Sequence, residues 1–492
     1  MSETVKHERL SLKGNGIILA ILAAMAMMVM FIEIMLVPAL PHIAMEYVED
    51  KEWVSWVLSA YLLSGAVATL LLGRFGDIYG KKKVMMFALT VYCIGLIGCA
   101  LSWSMGSLIV FRAVQGVGMG VFVLAFGIIR DTFPRRLIPV AIGLVSAMFS
   151  VGVSIGLLGG GYIVSRFSWR DAFYIVIPLM ITLTVLVWWL VQDHNEVRRK
   201  QKVDLPGAAL VSGGVLCLLL ALTQGQEWGW TDPIILGLFA TSAILIAVFI
   251  WWEIKGTKTP IVSIKLMRVR GIAGANIAAL FVGMSMFLMF QTLPFFLMSP
   301  EEVGGFNIQD SFMIGVYMFP SAIAQLIFAP LAGRWSRRFG ADKILISGLL
   351  ILCVGMMLMA FWHATLAQVM LSVFIAGVGL GFAMVSMINV VAMASPRTEF
   401  GVASGMNTLF RVVGGSIGPV LASVITTSFL VSYFPPGSPF PIEIPGEVGY
   451  MVVFLLGGAL AFIGAVVSII MRPGHGLSYE EEHIVASTEG EA

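Results

Sequence analysis

Apolar runs of about 20 residues, each separated from the next by a short charged link, recur along nearly the whole chain. A helix of that length crosses the ~30 Å hydrocarbon core of a bilayer. The first six runs lie near 17–40, 53–73, 84–101, 106–129, 138–162 and 172–191. A charged link from Asp193 to Asp204 leads to two more, near 205–223 and 233–252, and a second basic link ends in Arg268 and Arg270. Six others follow, near 271–298, 311–332, 343–361, 366–393, 401–430 and 449–471, for about fourteen in all. The pattern predicts an all-α polytopic membrane protein. It divides into an N-terminal segment (1–16), a six-helix bundle (17–192), a linker with two additional membrane helices (193–270), a second six-helix bundle (271–471) and an acidic tail (472–492). The first dozen residues and the tail are expected to be mobile.

Loop charge tests this count, because a missed or invented helix would scramble any alternation between faces. The N-terminal segment, the loops containing Lys81, Arg135, Lys200, Lys265, Arg337 and Arg397, and the tail at Arg472 hold roughly 25 of the 30 lysines and arginines. The intervening loops carry Glu46, Glu49, Asp50, Glu52, Glu227, Asp232, Glu301, Glu302, Asp310, Glu443 and Glu447, with only Lys51, Arg166 and Arg170 as basic exceptions. Basic loops stay on the cytoplasmic side of a cell membrane, so both termini are expected there.

Composition acts by exclusion. With 59% hydrophobic and 12% charged residues and a mean hydropathy of +0.95, the chain is too apolar for a soluble domain. Its net charge of +2 gives no ground for a nucleic-acid partner. Cys93, Cys99, Cys217 and Cys353 all fall inside apolar runs, where they read as small buried hydrophobes rather than a disulfide or metal framework.

Gly73 to Lys83, GRFGDIYGKKK, is a charged turn between two runs, expected at a membrane surface. Gly73 and Gly80 suit a tight turn, Asp77 can accept hydrogen bonds from a neighbouring helix N-terminus, and the lysines suit an anionic surface. Gly333 to Ile344, GRWSRRFGADKI, repeats the two glycines, the first arginine and the terminal lysine about 260 residues on. Gly116-Val-Gly-Met-Gly120 likewise matches Gly377-Val-Gly-Leu-Gly381, and Gly152 and Gly156 match Gly414 and Gly418. Two related six-helix halves around a two-helix insertion are expected of a transporter, with a site between the halves near the midplane.

At these residues the sequence resembles the major facilitator superfamily, and within it the fourteen-helix drug:proton antiporters. The hairpin fits that family's G-xxx-D-xx-G-[RK]-[RK] pattern, and Leu108 to Gly120, LIVFRAVQGVGMG, is similar to its fourth-helix RxxQGxG motif. Gly152 to Gly160, GVSIGLLGG, resembles the antiporter motif GxxxGPxxGG, with Leu157 where proline is usual. Asn407, Arg411, Gly414 and Gly415 match an N-xxx-R-xx-GG pattern. The resemblance implies proton-coupled export by alternating access, with no cofactor beyond the proton gradient.

Charges inside the runs are few, and each costs at least about 2.5–3.5 kcal/mol at a helix centre. Glu33, Arg112 and Arg411 stand out. Glu33 and Arg112 both fall roughly 9–10 Å below the outer surface at 1.5 Å per residue, a depth at which they could pair. A carboxylate that takes up a proton in a dry site, beside a cation that favours its ionised form, would let conformation control protonation. The family's first-helix motif sets an aspartate about nine residues before its proline, whereas Glu33 precedes Pro41 by eight. Arg112 has no basic counterpart in the second half, where Val373 or Phe374 aligns, and Arg411 has none in the first, where Phe149 aligns. Arg411, near the midplane, is expected to contact substrate or a moving gate.

Gln115, Gln291, Tyr317 and Asn389 join Arg411 as candidate substrate contacts. Asn276 and Gln325 are also polar at depth, and interhelical hydrogen bonding is the plainer role for any one of these. Thirty methionines supply adaptable walls. Gly73, Arg74, Asp77, Gly80, Asp131 and Arg135 are candidates for a cytoplasmic gate, with solvated positive charge as the simpler view of Arg135. Gly152, Gly156 and Gly160 permit close helix contact. The accidental GxSxG at Gly152 to Gly156 lacks the strand-turn-helix context of a hydrolase.

The sequence therefore predicts a secondary transporter, not an enzyme, exporting amphipathic drugs or metabolites in exchange for protons. It is expected to work as a monomer in the lipid bilayer, with small molecules and protons as its other partners. A proton-coupled importer of a small polar solute is the alternative, and a non-transporting membrane receptor is a third reading.

Overall fold

The computed structural model describes residues 3–36, 39, 40, 43, 46, 47, 53–134, 136–191, 204–256, 264–396, 399–434 and 440–472. Arg135, most of the Asp193 to Asp204 link and the tail beyond residue 472 lie outside the described residues. Among the described residues are 14 helices long and apolar enough to cross a membrane.

Helix α1 (Glu3–Ile34) starts well ahead of the expected span, because the basic segment holds no proline and continues as helix into the apolar stretch from Asn15. It ends four residues before Pro38, whose ring nitrogen has no proton to give the Ile34 carbonyl. The expected run to residue 40 is therefore cut short, and Glu33 sits on the last turn of α1 rather than well inside it.

Helices α2 (Val54–Tyr79) and α3 (Lys81–Ala100) meet at Gly80, with φ 99° and ψ 131°. The turn expected over Gly73 to Lys83 thus contracts to one residue, and Gly73, Arg74 and Asp77 belong to the final turns of α2. Only Gly80 occupies a backbone region closed to side chains; Gly73 serves helix contact instead. The next span runs as α4 (Met105–Gly116), a 3-10 turn at Val117–Met119 and α5 (Gly120–Thr132). Then α6 (Ile138–Arg166) and α7 (Trp169–Leu190) complete the first bundle.

The inserted pair is α8 (Leu205–Trp228) and α9 (Pro233–Lys255), followed by the short α10 (Ile264–Arg268). The second bundle comprises α11 (Arg270–Met298), α12 (Ser311–Phe339), α13 (Ala341–Phe361), α14 (Leu366–Ala394), α15 (Phe400–Ser428) and α16 (Glu447–Ile470). The all-α expectation misses one feature. Between α15 and α16 an antiparallel hairpin pairs β1 (Leu430–Tyr433) with β2 (Ile442–Pro445), in the register Val431 to Ile444.

The internal repeat is visible in conformation and in packing. Gly340, between α12 and α13, has φ 95° and ψ 138°, close to Gly80. Ser104 with Ser107 and Thr365 with Gln368 form capping boxes at the starts of α4 and α14, about 261 residues apart. A Cβ on Gly152 would lie 2.3 Å from the Met27 carbonyl of α1, and one on Gly414 2.0 Å from the Leu280 carbonyl of α11. Glycine seams therefore bind α1 to α6 and α11 to α15 in the same way, with the backbone of one helix filling the space a side chain would need.

The halves meet chiefly along two pairs, α6 with α12 and α2 with α15. Gly143 abuts the Ala329 carbonyl (2.7 Å from a built Cβ) and Gly333 the Pro139 carbonyl (2.2 Å). Gly73 and Gly401 abut each other's carbonyls at 2.4 and 2.3 Å. Except for Gly315 against Leu158, these approaches lie toward the face that carries the basic loops. Helix α8 packs on α9 and touches both α2 and α15.

Adjacent glycines of α6 provide a matched test. A Cβ on Gly160 would lie 2.4 Å from the Met35 carbonyl, whereas Gly161 has open space. Gly160→Ala is expected to lose about 1–3 kcal/mol to overpacking, and Gly161→Ala to lose nothing, read as thermal unfolding in detergent.

Candidate functional site

Where α1 to α4 converge, the interior holds a cluster of polar groups. Arg112 on α4 is 0% exposed. Its Nε donates to the Val57 carbonyl of α2 at 3.0 Å and its Nη1 to Gln115 Oε1 at 2.6 Å. The guanidinium lies 4.3 Å from the centre of the Tyr61 ring, a cation–π distance. Gln115 Oε1 also receives the Cys99 thiol at 3.9 Å. The oxygen of Gln115, expected to meet substrate, is thereby engaged in holding Arg112.

Glu33 of α1 is buried, with the Tyr61 hydroxyl as the hydrogen-bonding group that faces its carboxylate and with no hydrogen bond of good geometry at Oε2. Its electrostatic neighbours are Arg112, Arg411 and Tyr61. Among the described residues it makes no ion-pair contact, so the expected pairing with Arg112 is a neighbourhood rather than a bond. Tyr61 faces Glu33 and Tyr92 faces Gln115, both at hydrogen-bonding positions without good geometry, and Arg112 Nη2 is buried beside them. Polar groups gathered at this depth in a membrane helix bundle are costly, which makes the cluster the candidate site.

Arg411 enters this region from the second half. Its guanidinium sits 5.0 Å from the Phe149 ring of α6, and Phe149 in turn packs on Phe122 at 5.6 Å. The other candidates are dispersed. Asn389 on α14 is buried with Nδ2 unpartnered, Tyr317 is half-buried and Gln291 is exposed. No hydrogen bond among the described residues links those three to the Glu33 cluster. Asn276 accepts from Asn407 Nδ2 at 3.2 Å, an interhelical bond.

The basic face carries a second set of contacts. Asp77 Oδ2 accepts the Val402 N–H at 3.2 Å, in the first turn of α15, where a helix N-terminus favours negative charge. Lys81, just past Gly80, lies 3.8 Å from Asp77 and 2.6 Å from Asp131. Arg74 is buried within electrostatic reach of Asp77. Arg130 of α5 reaches across to the end of α14, donating to the Ser395 carbonyl at 2.7 Å and the Pro396 carbonyl at 3.3 Å while stacking 4.5 Å from Phe400. Arg337 of α12 donates to the Arg136 carbonyl at 2.9 Å. The bonds of Asp77, Arg130 and Arg337 span the two halves and draw them together at the basic face, whereas those of Lys81 lie within the first half.

Sequence reasoning passed over Tyr61, Tyr92, Arg130 and Val402. A hydroxyl-bearing ring in mid-span is a usable signal for the two tyrosines. A carbonyl or N–H partner leaves none.

Comparison with known proteins agrees with this architecture. Residues 19–324 and 275–485 match the sequence family described as Major Facilitator Superfamily. The tetracenomycin C resistance and export protein of Streptomyces glaucescens is 26% identical over 481 residues, covering 89% of this chain and 88% of that protein. Multidrug resistance protein 3 of Bacillus subtilis (strain 168) is 28% identical over 381 residues, covering 76% and 72%. The crystal structure of the human organic anion transporter MFSD10 (TETRAN) aligns with a TM-score of 0.63 at 15% identity, over 92% of this chain and 99% of that one. At that identity the likeness concerns the fold alone.

The closed basic face makes Asp77 testable. Hydrogen bonds to a charged group contribute about 1.5–3 kcal/mol, so Asp77→Ala is expected to raise the open population about tenfold or more. Maleimide labelling of Thr69→Cys, buried beside Gly405, reads that change; an unchanged rate removes Asp77 from the closure.

Proposed function

Because this chain belongs to the Major Facilitator Superfamily, and is a multi-pass membrane transporter rather than an enzyme, we propose that it exports amphipathic drugs or metabolites in exchange for protons. The observation that carries this reading is Glu33, a buried carboxylate that makes no ion pair among the described residues and has one guanidinium from each half within electrostatic reach. A desolvated carboxylate among cations can gain and lose a proton as its surroundings change, which is what coupling to a proton gradient demands. Alternating access supplies the change, through rocking of the two repeat-related bundles about the site. Export of drug-like compounds is supported by the names of the relatives, a tetracenomycin C export protein and a multidrug resistance protein.

The basic face is cytoplasmic in this reading, following the asymmetry of loop charge, and both termini lie there in the cell membrane. The bonds from Asp77, Arg130 and Arg337 then close the cytoplasmic side, and the site awaits a proton from outside. Asp131, Lys81, Arg74, Gly73 and Gly80 belong to this gate, and the chain acts as a monomer without a cofactor. Arg411 and Asn389, both on the second half, face substrate, while Gln291 and Tyr317 extend the wall. Import of a small polar solute is the second reading, favoured by two guanidiniums within electrostatic reach of one carboxylate.

Inside-out vesicles containing the protein are expected to accumulate ethidium when their interior is acid, and to stop when nigericin collapses the gradient. Glu33→Gln is expected to abolish gradient-driven accumulation while leaving ethidium exchange at equal pH. Accumulation indifferent to the gradient rules out proton antiport, and uptake only by right-side-out vesicles favours the importer.

A further inference from the structure

A proton can drive a conformational change only through interactions that differ between the two conformations. Arg112 does not meet that requirement. Glu33 and Arg112 ride on the same six-helix half: α1 is seated on α6 through Gly152, Gly156 and Gly160, and Arg112 is bonded to the Val57 carbonyl of α2. Gly116, one turn beyond Arg112, presses on the Tyr61 carbonyl, 2.3 Å from a built Cβ. If the halves rock as rigid bodies, the separation of Glu33 from Arg112 stays fixed.

Arg411 rides on the other half. Gly283 of α11 abuts the Arg411 carbonyl, 2.1 Å from a built Cβ, and Gly414 abuts Leu280, so α15 is seated on α11 as α1 is on α6. The titratable and charged groups facing Glu33 are Arg112 from α4, Tyr61 from α2, Tyr92 from α3 and Arg411 from α15. Arg411 alone among them changes its distance when the halves move.

Neither side chain is held by an ion pair among the described residues. Arg411 is 7% exposed, and its guanidinium rests against the face of Phe149 with no hydrogen bond of its own among those residues. A guanidinium offers five N–H donors, so Arg411 keeps donors that another state can engage. Glu33, across the divide between the halves, is an acceptor within its electrostatic reach, and the hydroxyl that faces the carboxylate, Tyr61, belongs to Glu33's own half.

We propose that Arg411 is the residue that couples protons to motion: a counter-charge carried by the second half, whose approach to Glu33 and withdrawal from it tie the protonation of the carboxylate to the side on which the site is open. Arg112 sets a constant background charge and positions Tyr61 and Gln115. The inference rests on the antiport reading and assigns its moving part. Proton and cationic substrate then act alike, since either one at Glu33 relieves its attraction to Arg411 and frees the halves to part.

The test uses the full chain in nanodiscs, with Cys93, Cys99, Cys217 and Cys353 replaced by serine and spin labels on Lys83→Cys and Lys343→Cys at the basic ends of α3 and α13. Distance distributions are recorded from about pH 5 to about pH 9, a range that brackets perturbed carboxylates. The wild-type background is expected to change its ratio of open to closed populations with pH, and Glu33→Gln to hold one ratio throughout. Arg411→Gln is expected to cut the pH-dependent change in that ratio by about tenfold or more, the equivalent of one unit of differential protonation. Arg112→Gln is expected to keep the change, and Arg411→Lys, which retains the charge, to keep it too. A full response in Arg411→Gln, a lost response in Arg112→Gln, or a lost response in a folded Arg411→Lys each overturns the assignment while leaving antiport standing. A wild-type background blind to pH, together with gradient-independent ethidium transport, overturns the antiport reading and the assignment with it.

Discussion

Hydrocarbon offers no hydrogen bonds, and that single constraint shapes nearly every feature of this chain. A backbone amide left open there costs several kcal/mol, so each crossing is a helix whose own ladder closes its polar groups. Lipid tails are as apolar as leucine, so helices gain little by hiding hydrophobic surface from them; they associate by close packing and by bonds between helices. The glycine seams answer that requirement. At Gly152 and Gly160 of α6, against α1, and at Gly414 of α15, against α11, the backbone of the partner occupies the space of a missing Cβ. Two six-helix units follow, each locked internally by a seam, and the divide between them is where relative motion is possible.

The same constraint makes the interior charges informative. Arg112 is tolerated because a carbonyl, an amide oxygen and an aromatic face surround it. Glu33 and Arg411 have fewer such contacts, the Tyr61 hydroxyl for one and the Phe149 ring for the other, and they sit on opposite units. Stability alone would have favoured leucine at either position, since replacing buried ionic groups by hydrophobic residues is often neutral or stabilising. Their presence concentrates polarity at the one boundary that moves. The contacts at the basic face obey a related logic, because each bond described there that crosses between the halves ends on a main-chain group at or beside a helix terminus, where a helix presents unpaired N–H or C=O groups.

Much of this could be read before any coordinates. Run length and loop charge were sufficient for fourteen crossings, because hydrocarbon thickness fixes helix length and the sorting of lysine and arginine fixes alternation. Recurrence of glycines at offsets near 261 disclosed the repeat, since the close approach of two backbones admits no other residue. Element ends were harder. Gly73 and Gly80 carry the same letter, yet one faces the Gly401 carbonyl inside a helix and the other takes φ 99°, and nothing local distinguishes them. Depth arithmetic put Glu33 and Arg112 at one level but could not say which groups held each of them. The β-hairpin between α15 and α16 escaped because its strands are four residues each, too short for alternation to register.

The departures from symmetry carry the remaining argument. Two copies of one bundle, joined face to face, would have identical ends and no reason to prefer one orientation of the site. Here the repeat-related positions carry opposite charge. Asp77 of α2 meets an N–H in the first turn of α15, whereas Arg337, its counterpart on α12, meets the Arg136 carbonyl just ahead of α6. A carboxylate can accept only from a donor and a guanidinium can donate only to an acceptor, so the two contacts cannot exchange partners. Arg130 adds a third bond with no counterpart, since Val391 aligns with it in the second half. Closure of the basic face is thus built from unlike parts, while the glycine seams that hold each bundle together remain alike. The scaffold retains the symmetry of its duplication, and the elements that decide which way it faces, and what moves it, are those in which the two copies have diverged.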